Sequence, residues 1–144
     1  MEDQAERGTR ELTAAALCCG VAIGCLLPVA AHQLGVVRHL PDPPGAVWDS
    51  DEITGSKMAH PLGVPDALLG LGSYGLTLAL LVGARESRGM RRALRWKLAA
   101  DAGAAGFNAV RQVVRFRRMC SWCMGTAVAT VGVVWFGWRG GRGD

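Results

Sequence analysis

The 144-residue chain has little of what most water-soluble or secreted folds rely on. It has one tyrosine, three histidines and five cysteines, with no cysteine between Cys25 and Cys120. That gap leaves no ladder of spaced cysteines, which argues against a disulfide-stapled secreted fold. A second CxxC and an ordered histidine pair are also missing, so no metal site is expected. The net charge is +4, yet no basic patch interleaved with aromatics accompanies it, and no nucleic-acid partner is expected. Charge itself is missing from three long stretches, Leu12–Ala31, Ala67–Ala84 and Met119–Trp138. Soluble domains scatter their charges; here apolar runs alternate with basic clusters, the pattern of a polytopic membrane protein.

At 1.5 Å per residue each uncharged run makes a helix of roughly 30 Å, the thickness of a hydrocarbon core. Leu12–Ala31 follows Arg7 and Arg10. Its apolar core is too long for a signal peptide and no clean cleavage site follows, so it is read as retained, with a kink at Pro28. His32–Asp66 is a polar loop broken by Pro41, Pro43, Pro44 and Gly45, and its length points to more than connection. A third, weaker span is interrupted by Asp101 and Arg111; a charged residue at such depth is functional by default, with burial between helices as the plain alternative. The expected architecture is therefore all-α: one domain over 1–144, a four-helix transmembrane bundle with helices at about 12–31, 66–84, 98–115 and 119–138. Both termini and the Arg85–Lys97 loop hold ten of the sixteen basic residues and should face the cytoplasm by the positive-inside rule. Richness in Ala, Gly, Arg and Val fits a GC-rich bacterial genome.

The most informative residues are Cys120-Ser121-Trp122-Cys123. Two thiols at CxxC spacing form the usual unit of reversible dithiol–disulfide chemistry. Residues at i and i+3 share a helix face and can close a disulfide with little backbone movement. At a helix N-terminus with Arg117 and Arg118 just before it, a thiolate is expected to be stabilised. A pair at the membrane face reaches both a protein partner in water and a lipid-soluble carrier. Cys18, Cys19 and Cys25 sit within an apolar run and read as small hydrophobes.

Two motifs resemble the vitamin K epoxide reductase family: Met119-Cys120-Ser121-Trp122-Cys123-Met124 entering the last span, and Gly63-Val64-Pro65-Asp66-Ala67-Leu68-Leu69-Gly70, followed by Tyr74, entering the second. The likeness extends over roughly residues 12–138. It implies a four-helix membrane bundle with the CxxC at the outer end of the last helix beside a quinone pocket. It also implies a quinone-linked thiol–disulfide oxidoreductase of the bacterial cell membrane, using menaquinone or ubiquinone. Cys120, nearer water, would exchange with a partner disulfide or dithiol, and Cys123, a turn deeper, would pass the electrons on. Trp122 and Tyr74 would line the pocket, or serve only as interfacial and packing aromatics. Asp66 stands where the family carries an Asn that hydrogen-bonds a quinone carbonyl. A protonated Asp can donate that bond, and desolvation favours protonation; the alternative role is a helix cap.

One departure bears on mechanism. Typical members carry a second cysteine pair in the first loop that relays electrons to the CxxC, whereas here Trp48, Asp49 and Ser56 occupy that region. A separate thioredoxin-like thiol protein would then have to reach Cys120 directly. The competing function is a degenerate, non-catalytic member acting as a membrane scaffold or quinone-binding subunit. His32, His39 and His60 read as solvated loop residues, and Arg142-Gly143-Asp144 as a chance tripeptide.

Overall fold

Each uncharged run of the sequence becomes a helix, and the helices pack side by side. The computed structural model describes residues 2–142, so Gly143 and Asp144 of the C-terminal tripeptide lie outside the described residues. Helix α1 is Glu2–Gln33, running on through Pro28; a short α2, Ser50–Thr54, lies in the loop; α3 is Asp66–Gly83, α4 Arg88–Arg111 and α5 Ser121–Gly140. Among the described residues the only β-type pairing is an isolated parallel bridge between Trp48 and Met119.

Small or hydroxylated side chains share the centre with Leu81, Leu94, Leu98 and Val133: Ala15, Cys19 and Ala22 of α1, Thr77 of α3, Thr126, Ala129 and Thr130 of α5. Other large apolar ones point outward, among them Leu17, Val21, Leu76, Val128 and Val131. In water such a surface would be an aggregation hazard; against lipid it is the expected shell, with small residues letting backbones approach. The buried hydroxyls are satisfied within the helices, Thr126 donating to the Trp122 carbonyl at 3.1 Å and Thr130 to that of Thr126 at 2.7 Å.

Two expectations change. Two helices, α1 and α3, are long and apolar enough to cross a membrane by length and composition. Neither α4 nor α5 meets that test, so the geometry gives a four-helix bundle without establishing four spans. The third helix also begins ten residues earlier than expected: Arg88–Lys97, read as a loop, forms the first turns of α4. Arg and Lys are good helix formers, and hydropathy is blind to that. At its far end α4 widens into a π-helical turn, Gln112–Phe116, and Arg117 in the left-handed region (φ 52°) redirects the chain toward α5.

The long loop is pinned to the start of α5. Met119 N–H donates to the Val47 carbonyl at 2.7 Å and Asp49 N–H to that of Met119 at 3.0 Å. Arg118 pairs with Asp49, and with Glu52 at 3.6 Å. Asp49 also caps α2, accepting the Glu52 N–H at 3.0 Å. His32 departs from the solvated reading: it is half-buried, bonded to Thr54 at 2.9 Å and 3.3 Å from Asp51. His39 is exposed, as expected, and pairs with Asp51 at 2.9 Å.

Candidate functional site

The chain leaves the π-turn, crosses under the loop and starts α5 at the two cysteines. Cys120 is the N-cap of α5. Its Sγ accepts the Cys123 N–H at 3.1 Å, so the sulfur satisfies one of the donors that every helix start leaves unpaired. Its own N–H is held by Gln112 Oε1 at 2.9 Å. Both cysteines are thiols. Cys120, expected to be open to water, has 0 % exposure, while Cys123 is half-buried and faces a cavity. Arg118 is engaged by Asp49 and Glu52 and Arg117 is exposed. The donor that meets the Cys120 sulfur is thus the backbone of α5, and neither arginine takes the place expected of it.

What covers Cys120 is a polar clamp. Asp42 Oδ1 accepts the hydroxyls of Ser50 and Ser121, each at 2.5 Å, and its Oδ2 accepts the Ser50 N–H at 2.8 Å. The Ser121 N–H donates back to Ser50 Oγ at 3.1 Å. Burial works to raise the Asp42 pKa, but the hydrogen bonds from Ser121 and Ser50 outweigh it and hold the carboxyl below the usual carboxylate range. Asp42 and Ser50 thus join Trp48 and Asp49, the expected loop residues pinned to Met119, at the cysteine end.

A cavity of about 490 Å³ opens between α3 and α4 beneath the loop, its back wall formed by α1 and α5, within the range of pockets that hold small organic ligands. Cys123, Asp66 and Tyr74 all line it. Trp122 does not: its indole N–H donates to the Pro41 carbonyl at 3.0 Å, and it lines a separate shallow recess beside Cys25 and Asp42. Tyr74 is 7 % exposed and its hydroxyl is bonded to Thr130. Asp66 is the first residue of α3 and caps nothing; Pro65 occupies the N-cap position. Instead Asp66 Oδ1 accepts Gln33 Nε2 at 2.7 Å, and Oδ2 lies 3.8 Å from Arg111. Gln33 Oε1 in turn takes the Ala67 N–H at 3.2 Å.

Arg111 was read from sequence only as an interruption of the third span. It donates to the Met58 carbonyl at 3.1 Å, lies over the Phe107 ring at 5.9 Å and lines the cavity beside Cys123. Its Nε is buried with no hydrogen-bond partner. Such an orphan donor is costly to leave unmet. Gln33 and Gln112 were likewise not singled out. Polar amides at the ends of apolar helices are the signal that would have found them.

The model of the vitamin K epoxide reductase family matches residues 12–138. The chain belongs to this family. Neither a curated protein nor a solved structure matches it significantly. Membership makes it a relative of membrane-embedded thiol oxidoreductases that act on quinones, and the matched segment contains every residue of the site described above.

Proposed function

We propose that the protein is a quinone-linked thiol–disulfide oxidoreductase, in which Cys120 and Cys123 pass two electrons from protein thiols to a membrane quinone, menaquinone or ubiquinone. The observation that carries this reading is the meeting of Cys123, Asp66 and Arg111 on one largely apolar cavity. A quinone whose carbonyl lies beside the Arg111 guanidinium has its ring next to a thiol. Asp66, with one oxygen already accepting from Gln33 and the other beside Arg111, acts by orienting that guanidinium. Tyr74 closes the wall of the pocket. Trp122 holds the loop through Pro41, away from the ring.

In this reading all four long helices cross the membrane and the CxxC lies at its outer face, that of a bacterial cell membrane. A thioredoxin-like protein supplies electrons to Cys120. Because Cys120 is covered, the Asp42–Ser50–Ser121 clamp must lift before exchange. The dithiol then closes to a disulfide, releasing two electrons and two protons, and the quinone takes up two electrons and two protons to become a quinol.

The test is oxidation of the reduced, purified protein in detergent by short-chain quinones, read by thiol trapping and mass, with Cys123→Ser as control. A Cys120–Cys123 bond formed in step with quinol is expected. A folded protein that no quinone oxidises would instead be the non-catalytic scaffold or quinone-binding subunit.

A further inference from the structure

Deep in the same cavity, away from the cysteines, lies an ion pair that the thiol chemistry does not use. Asp101 of α4 is 5 % exposed and pairs with Lys97, one turn before it. Lys97 Nζ also donates to Ser73 Oγ at 2.8 Å and Thr77 Oγ1 at 2.9 Å, so all three ammonium protons have partners. The hydroxyls in turn donate to the carboxylate, Thr77 to Oδ2 at 2.6 Å and Ser73 to Oδ1 at 3.2 Å. Ser73 and Asp101 line the cavity; Lys97 stands behind them.

Buried ion pairs rarely earn their place by stability alone, and ionisable groups at membrane depth mark ion or proton paths. This one has the layout of a relay. Ser73 lies seven residues beyond Asp66 on α3, roughly 10 Å along the helix, so the network forms a second polar pole opposite Arg111. On the other side, Lys97 is nine residues from the basic start of α4, roughly 14 Å, and its flexible stem and 15 % exposure leave a way toward water at that end.

We propose that Lys97, through the Ser73 hydroxyl, delivers a proton to the quinone oxygen farther from the cysteines. This rests on the quinone-linked reading above. As electrons arrive from the dithiol, Ser73 gives its hydroxyl proton to that oxygen and takes one from Lys97. The neutral amine is reprotonated from water at the start of α4, while Asp101 holds it in place. Of the two thiol protons, one passes to the quinone oxygen beside Cys123 and the other leaves to water at the loop. The sum is a disulfide and a quinol, with one proton entering at Lys97 and one leaving at Cys120.

The half-reactions separate the possibilities. Reduced protein in detergent is mixed with menadione or ubiquinone-1 in a stopped-flow instrument. The same protein is mixed separately with a small disulfide that reports CxxC exchange. Two variants are compared: Ser73→Ala, and Lys97→Met with Asp101→Asn, which removes both charges together. Quinone reduction at saturating quinone is expected to fall at least tenfold in both, with exchange unchanged. A wild-type quinone rate in either variant overturns the relay. Parallel loss of exchange and quinone reduction in both variants also overturns it, showing the network to be structural. If the wild-type protein reduces no quinone, the underlying reading falls and takes the relay with it.

Discussion

The seam between α1 and α5 and the side of the bundle between α3 and α4 solve the same packing problem in opposite ways. Along α1–α5 the contact is close and dry. A methyl group placed on Gly140 would lie 2.8 Å from Leu12 Cγ and 3.0 Å from its backbone nitrogen; one on Gly132 would meet Cys18 Sγ at 2.7 Å and one on Gly125 would meet Cys25 Sγ at 3.1 Å. Between α3 and α4 the chain keeps its cavity, lined with Ser73, Asp101, Asp66 and Arg111. One seam sets the positions of the helices and the other leaves room for chemistry. Cys18 and Cys25 fall on the first, while Cys19 turns to α3 and donates to the Tyr74 carbonyl at 3.3 Å; packing accounts for all three without a redox role.

The largest effect is expected from breaking the closed seam. Gly140→Leu puts a branched side chain against the α1 backbone, which cannot move aside as a side-chain tip can. Overpacking of this kind costs about 1–3 kcal/mol, and a clearly lowered melting temperature in detergent is the readout. Gly20 of α1 is the control, since nothing lies within 4 Å of a methyl group there. Gly20→Ala should be neutral or stabilising by roughly 0.5–1 kcal/mol. Equal melting temperatures for Gly140→Leu and wild type would show that the seam does not hold the bundle.

Filling the open side gives the opposite signature. Ala105 of α4 lines the cavity, and Ala105→Phe places a ring in it with little displacement of neighbours. Stability should change by less than about 1.5 kcal/mol, the range of tolerated apolar swaps, while quinone reduction falls at least tenfold and small-disulfide exchange persists. Unaltered quinone reduction would mean that the ligand lies elsewhere.

The contrast between the two sides also explains what could be read from the sequence. Uncharged runs report burial or lipid contact directly, so three of the four long helices, the CxxC at the head of α5 and the family were all legible. The start of α4 was not, because Arg88, Arg91 and Arg92 form helix as readily as loop. The Lys97–Asp101 pair is an i, i+4 arrangement visible in the sequence, yet Asp101 stands out there only as a charge within a span, without its partner. The burial of Cys120 depends on Asp42 and Ser121, 79 residues apart. No local pattern encodes such a contact, and it covers the cysteine expected to meet water.

The smallest effect is expected where the two sides meet, at the clamp over Cys120. Asp42 has its pKa lowered in the folded state by its serine partners. A depressed carboxylate contributes stability above its unfolded value, about 3.9, and that contribution is lost as pH falls through the lower, folded value. The clamp should therefore stay shut across pH 7 to 5 and release only in stronger acid. Hydrogen exchange of the loop amides, Ser50 N–H among them, should accordingly be as well protected at pH 5 as at pH 7 once the intrinsic pH dependence is removed. Asp42→Asn keeps one acceptor oxygen but loses the charge that strengthens three hydrogen bonds. Maleimide labelling of Cys120, located by peptide mass in a Cys123→Ser background, should then rise a few-fold at pH 7 with the melting temperature little changed. Labelling at the wild-type rate would mean that the bridge between Trp48 and Met119, and not Asp42, keeps the thiol covered.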